Sequence, residues 1–496
     1  MTRRPPRARG TETLVETGIA ASSPRGRWIV AAAVLGSGIA FLDGSVVNVA
    51  LPAIGRELGG GFSTLQWILD GYLLTLSALL LLGGALGDRY GRRAVFLLGL
   101  VAFTVASVGC GLAPTGPVLI AARLLQGLGG ALLIPGSLAL LNAAIRPADR
   151  GRAIGTWAGW SGVASALGPF VGGWLVDAAS WRWIFLINVP LAAVAFWITR
   201  RHVPETRDPT AGRTDVLGAA TITAGLAGVI VVLIEVPVRG WSPVFVACLV
   251  IGIAALLAFP VVERRAPQPL IPLQLFRSAR FSGANIVTLL VYAALGGVFF
   301  LLALQLQQSM GYSALGAGLA LLPFTVIMLL LSGPIGALTS RIGPRAALIA
   351  GPLITGLGVG LLVLARPGAT YLTGVLPGIA LFGLGMAVTV APLTTTVLAA
   401  VGEAQVGAAS GANNAVSRVA GLLAVAVLPL LTGLDTAGSG PLGPGYAMAM
   451  LISAALCVLA AGVAAFTVRG AARPESPPLR VHPGLEQACA PQAAAT

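Results

Sequence analysis

The sequence predicts an all-α integral membrane protein with fourteen transmembrane helices. Hydrophobic residues make up 56% of the 496 residues and charged residues only 10%, whereas a soluble domain carries about 25% charged residues. Apolar runs long enough to span a bilayer as a helix, about 20 residues each, recur along the chain. The arginines between these runs alternate in number from loop to loop, which assigns each loop to one side of a membrane.

The fourteen predicted spans are long apolar runs whose ends are uncertain by a few residues. They lie at about 28–51, 65–87, 94–112, 117–143, 153–176, 183–199, 216–235, 242–262, 284–306, 317–340, 346–365, 372–399, 409–432 and 447–468. Because the runs are continuously apolar rather than alternating, a membrane β-barrel is excluded. The first run is too long for the core of a signal peptide and has no clear cleavage site, so we expect it to remain as a span.

The distribution of arginine predicts the orientation. All 31 basic residues are Arg, and with both termini in the cytoplasm 25 of them lie on the cytoplasmic side and four outside. The other two, Arg123 and Arg418, fall within spans. Positive residues collect on the cytoplasmic side of membrane proteins, so we predict a multi-pass plasma-membrane protein. The net charge of +14 then needs no nucleic-acid partner.

An internal repeat predicts two related halves. The stretch "GALGDRYGRR" begins at Gly84 and "GALTSRIGPR" begins at Gly336, and six of their ten positions agree. Both follow a span that enters the cytoplasm, the second and the tenth. Internal repeats are common in transporters, with the substrate site at their interface. We therefore predict two pseudo-symmetric six-helix bundles with two extra helices inserted between them.

This organisation divides the chain into five segments. They are a disordered cytoplasmic arm (1–27), an N-terminal six-helix bundle (28–199), a linker with two inserted transmembrane helices (200–283), a C-terminal six-helix bundle (284–468) and a disordered cytoplasmic tail (469–496).

Several motifs resemble those of the major facilitator superfamily, and in particular its fourteen-span drug:proton antiporters. "GALGDRYGRR" is similar to the signature loop between the second and third helices. Six further stretches also resemble motifs of this family: "LDGSVVNVALP" (42–52), "ARLLQGLGG" (122–130), "GPFVGGWLVD" (168–177), "WRWIFLINVP" (181–190), "PLQLFRSARFSGAN" (272–285) and "GAASGANNAVSRVAG" (407–421). The resemblance extends from Trp28 to Val468 and implies export, without naming a substrate.

Three ionisable residues in the early spans are candidates for proton coupling. Counted from the nearer predicted end of its span, Asp43 lies eight residues deep, Arg123 six and Asp70 five. At ~1.5 Å per residue these depths are about 12, 9 and 8 Å, so the three side chains could meet in one cavity. The resemblance places Asp43 and Arg123 in the coupling and binding machinery. Asp70 as an interfacial residue and Arg123 reaching the headgroups remain open alternatives.

Other polar residues within spans are candidates for the substrate cavity, or for ordinary packing between helices. They are Asn48, Tyr72, Gln126, Trp160, Gln305 and Gln307. Arg418 is a further charge placed deep in a span, and it either faces the cavity or leans toward the cytoplasmic end of its helix.

Two motifs are expected to act through conformation rather than chemistry. The cytoplasmic gate comprises Gly84, Asp88, Arg89, Gly91, Arg92 and Arg93. Its glycines allow a tight reversal and its arginines anchor that end inside, while the resemblance adds a charge latch formed by Asp88 and Arg92. The antiporter motif comprises Gly168, Pro169, Gly172 and Gly173, small or kinking residues that let helices approach closely.

The predicted function is proton-driven export of small hydrophobic or amphipathic compounds by a monomer, with the proton gradient as energy source and no cofactor. No pair among the four Cys has metal-ligand spacing, and both His lie outside the spans, so neither a metal site nor an enzyme is expected. No phosphate-binding loop indicates a nucleotide motor. The alternatives are export of an endogenous metabolite or amino acid, proton-coupled import, or a channel.

Overall fold

The structure is a computed structural model that describes residues 18–208, 212, 214–402, 405–434 and 442–468, without the side chains of 340–342. Within these residues it is helical, with one isolated bridge between Ile19 and Ile145. The α-helices are α1 (Pro24–Leu58), α2 (Gly61–Tyr90), α3 (Arg92–Gly111), α4 (Gly116–Ala144), α5 (Pro147–Ala178), α6 (Trp183–Leu186), α7 (Asn188–His202), α8 (Val216–Arg239), α9 (Pro243–Arg265), α10 (Ala279–Leu304), α11 (Ala314–Ala320), α12 (Leu322–Ile342), α13 (Pro344–Leu361), α14 (Leu376–Leu398), α15 (Val406–Thr432) and α16 (Gly443–Thr467).

Short segments of tighter or wider helix extend several of these elements. A π-helical turn, Gln305–Ser309, continues α10, and another, Tyr371–Val375, leads into α14. The 3₁₀ turns Leu273–Arg277 and Leu362–Leu364 precede α10 and follow α13.

Thirteen helical stretches in the described part of the chain are long and apolar enough to cross a membrane. They match thirteen of the fourteen predicted spans. The remaining span, 153–176, lies in α5, which is 32 residues long but is not among the thirteen, because glycines, serines and charged residues dilute its apolar content. A fourteenth span therefore stays a prediction.

The first helix begins within the predicted arm, 1–27. Helix α1 begins at Pro24, after Ser23, whose hydroxyl accepts a hydrogen bond from the amide of Gly26 and caps the helix. The Ile19 amide donates to the carbonyl of Ala144 at 2.9 Å, so this segment packs against the end of α4. The rest of the predicted arm, and the predicted tail from 469, lie outside the described residues.

For description, we call helices α1–α7 the N-terminal group and helices α10–α16 the C-terminal group. The groups meet mainly where α5 contacts α11, where α2 contacts α15 and where α1 contacts α10. The symmetry of two six-helix bundles stays a prediction. For orientation, we call the end of the helices at the 84–93 turn the Asp88 side, and the opposite end, where α5 meets α11, the Asp177 side.

The predicted inserted helices are α8 and α9, which pack on each other outside the two groups. Helix α8 also contacts α2 and α15. Buried residues of all three form one small apolar cluster: Leu74, Ala78, Leu226, Ile230, Ile234, Leu422 and Ala426. The Trp67 indole donates to the Glu235 carboxylate at 2.7 Å. One inserted helix therefore covers the seam between the N-terminal and C-terminal groups.

The sequence repeat corresponds to a repeated turn. Gly91 ends α2 and precedes α3 with φ +115°, and Gly343 ends α12 and precedes α13 with φ +89°. Each lies seven residues after the first glycine of its copy. A positive φ favours glycine over residues with a Cβ. The shared glycine is thus required by the backbone, independently of any role in transport.

Candidate functional site

The central feature of the N-terminal group is a buried ion pair between Asp43 of α1 and Arg123 of α4. The guanidinium Nη1 donates to Asp43 Oδ2, and both side chains are 0% exposed. Arg123 therefore points inward, and the alternative of a side chain reaching the headgroups does not describe this conformation.

Asp43 accepts further hydrogen bonds that the sequence analysis missed. Gln126 Nε2 donates to Asp43 Oδ1 at 2.8 Å, and Asn188 Nδ2 donates to the same oxygen at 3.1 Å. Both amides also donate to Ser107 Oγ, at 2.7 and 3.3 Å. Charge-assisted bonds of this kind stabilise an ionised carboxylate in a buried site. The network joins α1, α3, α4 and the first residue of α7.

Arg123 is held by more than its carboxylate partner. Its Nε donates to the backbone carbonyl of Ile68 at 3.0 Å, and its Nη1 also donates to Gln126 Oε1 at 2.6 Å. The guanidinium carbon lies 4.3 Å from the centre of the Tyr72 ring and 5.7 Å from that of Phe185, a cation–π arrangement. Arg123 thereby links α4 to α1, α2 and α6.

Asp70 is buried but does not join this network. It is 0% exposed, and neither carboxylate oxygen has a hydrogen-bond partner among the described residues. One turn earlier on the same face of α2, Gln66 Nε2 donates to the carbonyl of Val425 of α15 at 2.8 Å. Asp70 therefore lies on the face of α2 that is directed toward the C-terminal group.

Arg418 faces the junction of the two groups. Its guanidinium carbon lies 5.1 Å from the centre of the Phe41 ring on α1. It forms no ion pair with the carboxylates that the structure describes. The side chain thus extends across to the N-terminal group rather than toward the end of α15.

The six predicted cavity residues do not lie together. Tyr72 and Gln126 belong to the buried network, and the Tyr72 hydroxyl donates to the carbonyl of Ala40 at 3.0 Å. Trp160 on α5 is 58% exposed. Asn48 is half-buried and bonds within its own helix, at 3.4 Å to the Gly44 carbonyl.

Gln305 lies elsewhere, at the Asp177 side of the C-terminal group. Its Nε2 donates to the carbonyl of Ala365 at 2.7 Å. Its neighbour Gln307 is the residue that reaches the N-terminal group, donating to the Val49 carbonyl at 2.9 Å. The π-helical turn changes which side chains face the junction, and the two glutamines accordingly bond to different neighbours.

The predicted gate forms an ordered turn. Arg92 donates to Asp88 Oδ1 through Nε at 2.8 Å and forms an ion pair with it through Nη2 at 2.7 Å. Arg89 stacks over the neighbouring Tyr90 ring at 5.1 Å, and Gly84 packs near Pro135.

A second segment, 203–208, forms hydrogen bonds with the gate turn. The sequence analysis did not identify this segment. Glu205 accepts hydrogen bonds from the backbone amides of Arg93 and Ala94, each at 3.1 Å. It therefore caps the N-terminus of α3, where a negative charge is favoured. A Cβ on Gly91 would lie 2.8 Å from Glu205 Oε1, so a larger residue here would displace this carboxylate in addition to straining φ.

Among the described residues, the hydrogen bonds and ion pairs of the six gate residues go to α2, α3 and 203–208 rather than to α10–α16. The backbone bonds of the turn go instead to 203–208: the Asp208 amide donates to the Asp88 carbonyl at 2.9 Å, and the Arg92 amide donates to the Thr206 carbonyl at 2.8 Å. The Asp88–Arg92 pair of the predicted latch is present within the turn, and its part in closing the gate stays a prediction.

The antiporter motif packs against both groups. A Cβ on Gly168 would overlap Ser45 of α1, and one on Gly172 would overlap Val46. A Cβ on Gly173 would overlap the carbonyl of Ala314, and the Pro169 carbonyl touches Gly318. Both of these neighbours belong to α11.

Asp177 completes this contact. Its carboxylate accepts hydrogen bonds from the backbone amides of Ala314 at 3.2 Å and Leu315 at 2.8 Å. An aspartate of α5 therefore caps the N-terminus of α11 across the junction, which is a favourable place for a negative charge. The two groups are closed against each other at the Asp177 side.

Comparison with known proteins identifies the family. The family model described as "Major Facilitator Superfamily" matches residues 33–425 of the chain. The chain belongs to this superfamily. Membership makes it a multi-pass membrane transporter rather than an enzyme, as the motifs led us to expect.

Named relatives cover most of the chain. It is 37% identical over 407 residues to the cephamycin export protein of Amycolatopsis lactamdurans, covering 81% of this chain and 84% of the relative. It is 35% identical over 429 residues to the methylenomycin A resistance protein of Bacillus subtilis, covering 84% and 91%. It is 35% identical over 396 residues to the multidrug resistance protein Stp of Mycobacterium tuberculosis, covering 79% and 73%.

Solved structures share the fold. A POT family transporter in complex with 5-aminolevulinic acid superposes with a TM-score of 0.68 at 16% identity, covering 90% of this chain and 97% of that one. A bacterial homologue of the lysosomal transporter Spinster, in an inward-facing and unoccupied conformation, gives 0.63 at 17% identity, with the same coverage. At these identities the likeness concerns the fold alone.

Proposed function

We propose that the protein exports small hydrophobic or amphipathic compounds, among them antibiotics, by proton-coupled antiport across the plasma membrane. The observation that carries the proposal is the fully buried Asp43–Arg123 pair, because an ionisable pair in the middle of membrane helices is costly and is usually functional. The names of the relatives support the substrate class, since they are export and resistance proteins for antibiotics and other drugs.

The pair provides a mechanism for exchanging a proton against a substrate. Protonation of Asp43 removes its negative charge, so that Arg123 loses its counter-ion and the network that joins four helices weakens. Arg123 can then turn toward the substrate, or toward the backbone carbonyl of Ile68 alone. Release of the proton restores the pair. The protein would alternate between two packings in this way, each favoured by one protonation state.

The arrangement of the helices extends this proposal to alternating access. We place the Asp88 side in the cytoplasm together with both termini, following the arginine distribution. We also count α5 as a fourteenth span, because it is 32 residues long and packs between α1 and α11. The two halves that move relative to each other would be 28–199 and 284–468, and 200–283 would be the linker that carries the inserted helices.

In this proposal the antiporter motif and the gate act at opposite ends. The glycines of α5 and the Asp177 cap hold the outer end closed in the conformation described. The Asp88 turn, bound here to 203–208, would engage the C-terminal half only when the inner end closes. The protein is expected to act as a monomer.

Flux into proteoliposomes tests the direction and the coupling. Purified protein is reconstituted, and accumulation of ethidium, a permanently charged dye, is followed under pH gradients of either sign. An antiporter accumulates dye only when the lumen is acidic. Accumulation only with an acidic exterior would instead identify a proton-coupled importer, and equal equilibration under both gradients would remove proton coupling.

The same preparation tests the substrate class. Cephamycin, other antibiotics and a set of amino acids compete with ethidium for uptake, with protein-free liposomes as the control. Competition by the drugs alone supports a drug exporter. Competition by amino acids alone would assign the protein to export of an endogenous metabolite.

A further inference from the structure

Arg418 is a positive charge in the middle of the membrane helices that has no counter-ion within the chain. It lies halfway along α15 and forms no ion pair in the described part of the chain. A charge at this depth is expensive and normally has a partner. The charge of Arg123 is compensated by Asp43, whereas that of Arg418 is available to an anion from outside the chain.

The guanidinium of Arg418 lies deep between the helices, yet it keeps open surface. Protein atoms around it desolvate its charge, but the side chain is only half-buried. Its nitrogens donate to no described residue and are not closed off, whereas Nη2 of Arg123 is. A side chain that is deep and open at once lines an internal opening. An anion can therefore reach Arg418, and it cannot reach Arg123 in this conformation.

Aromatic side chains from three other helices lie next to Arg418. The centre of the Phe41 ring on α1 is 5.1 Å from the guanidinium carbon, and the ionisable groups that act on the charge are the hydroxyls of Tyr72 on α2 and Tyr292 on α10. The Tyr72 hydroxyl is bonded to the Ala40 carbonyl. The Tyr292 side chain is half-buried, and its hydroxyl donates to no described residue and is not closed off. Tyr292 is therefore a second free donor beside the cation, next to rings that suit a flat apolar body.

These groups lie at the depth where a transporter holds its substrate. Phe41, Tyr292 and Arg418 are at or next to the midpoints of α1, α10 and α15, and transporters bind substrates near the bilayer midplane, between their two halves. We propose that Arg418 and Tyr292 bind the acidic group of the substrate, so that aromatic organic acids are the preferred substrates. The acid accepts hydrogen bonds from the guanidinium and the hydroxyl, and its ring system lies against Phe41. This inference rests on the export function proposed above and names its substrate class.

Direct binding of two dyes tests the preference for an acid. Fluorescein and tetramethylrhodamine methyl ester share a flat three-ring system, but fluorescein is an anion with a free carboxylate, and the ester is a cation without one. The fluorescence anisotropy of each dye is titrated with the full chain in detergent micelles, with protein-free micelles as the blank. We expect fluorescein to bind about tenfold more tightly, the effect of one hydrogen bond to a charged group. Equal affinities, or tighter binding of the ester, would overturn the proposal.

Variants connect the preference to Arg418. Arg418→Gln should weaken fluorescein binding about tenfold and strengthen binding of the cationic ester, because a repelling charge is removed. Misfolding would weaken both dyes, so opposite changes report on the charge itself. Arg418→Lys should retain most of the fluorescein affinity, and Tyr292→Phe should reduce it less than Arg418→Gln does. The matched control Arg56→Gln removes an exposed arginine of α1 and should bind both dyes as the wild type does. Unchanged fluorescein binding in Arg418→Gln, or equal weakening of both dyes, would overturn the proposal.

The binding assay is independent of the direction of transport and of the pH gradient. Ethidium has no acidic group, so its flux tests the export function separately. Ethidium antiport by a protein without a preference for fluorescein would leave export in place and overturn the role of Arg418 alone. A fluorescein preference that Arg418→Gln abolishes, in a protein without antiport, would support the acid site and overturn the proposed export.

Discussion

Asp43 and Asp70 are equally buried, yet their surroundings are opposite. Each is 0% exposed. Asp43 accepts hydrogen bonds from Arg123, Gln126 and Asn188, whereas neither oxygen of Asp70 has a partner in the part of the chain that the structure describes. Burial alone therefore does not decide the state of a carboxyl group, since the partners determine whether its charge is compensated.

The difference assigns the two residues different parts in the proposed cycle. In this conformation the surroundings of Asp43 stabilise a carboxylate, while those of Asp70 suit a neutral carboxylic acid, because an isolated buried charge is expensive. We expect Asp43 to be the anion that holds Arg123 in this conformation and to take up a proton when the pair opens. Asp70, on the face of α2 directed to the C-terminal group, would carry a proton until the groups separate.

The largest effect is expected for Asp43→Asn. Removing one member of a buried ion pair costs about 3–5 kcal/mol, because the other charge stays buried. The asparagine keeps one acceptor oxygen, so we expect a loss of about 3 kcal/mol in the free energy of unfolding, measured by denaturation in detergent. Proton-driven efflux of ethidium should fall to background while expression is retained. Full efflux in this variant would remove Asp43 from the mechanism.

Arg123→Lys sharpens the comparison by keeping the charge. A lysine ammonium cannot reproduce the planar guanidinium that bonds Asp43, Gln126 and the Ile68 carbonyl at once. Losing one or two of these bonds should lower the free energy of unfolding by about 1–3 kcal/mol and slow efflux without abolishing it. Unfolding measurements and initial efflux rates, compared with those of Asp43→Asn, check this order. Wild-type stability and efflux in Arg123→Lys would mean that a positive charge at this position is sufficient without the guanidinium.

The effect of Asp70→Asn on the free energy of unfolding should differ in sign or size from that of Asp43→Asn. Asparagine resembles the neutral carboxylic acid in shape and charge, so the free energy of unfolding should change by less than about 1 kcal/mol. The pH dependence of efflux should flatten, because one exchanging proton is lost. The measurement is efflux against pH beside unfolding of the same preparation. A destabilisation as large as that of Asp43→Asn would show that Asp70 is an anion with a partner.

The smallest effect on stability is expected at the gate turn. The ion pair of Asp88 with Arg92 is partly exposed, at 42% and 21% of the two side chains, and such pairs contribute about 0–1 kcal/mol. Asp88→Asn should therefore leave stability and membrane orientation unchanged while it lowers the turnover rate. Labelling of single cysteines placed in loops checks orientation, and initial rates check turnover. An unchanged rate would reduce the turn to a topological anchor.

Much of the architecture could be predicted because membrane helices follow simple rules of length and polarity. Thirteen predicted spans correspond to helices that are apolar enough to cross a membrane. The arginine distribution predicts on which side of the membrane each connecting loop lies. The span at 153–176 is different because the packing of α5 against α1 and α11 selects glycine and serine instead of large apolar residues. Composition alone therefore detects this helix poorly.

The candidate site was predicted only in part. Asp43, Arg123, Tyr72 and Gln126 were found because ionisable and polar residues are rare in membrane spans. Asn188 and Ser107 were missed, since a small polar residue in an apolar helix gives no signal of the partner it will meet. The separate placement of Gln305 and Gln307 was not predicted, because a π-helical turn, which shifts the face of the next side chains, is not visible in sequence periodicity.

Proton movement driven by substrate tests the central claim most directly. Proteoliposomes are loaded with ethidium and with a pH-sensitive dye, diluted into dye-free buffer at equal pH, and the pH of the lumen is followed as ethidium leaves. The wild type should acidify the lumen as protons enter in exchange, and Asp43→Asn should not. Ethidium efflux from wild-type vesicles without any change of pH in the lumen would contradict proton-coupled antiport.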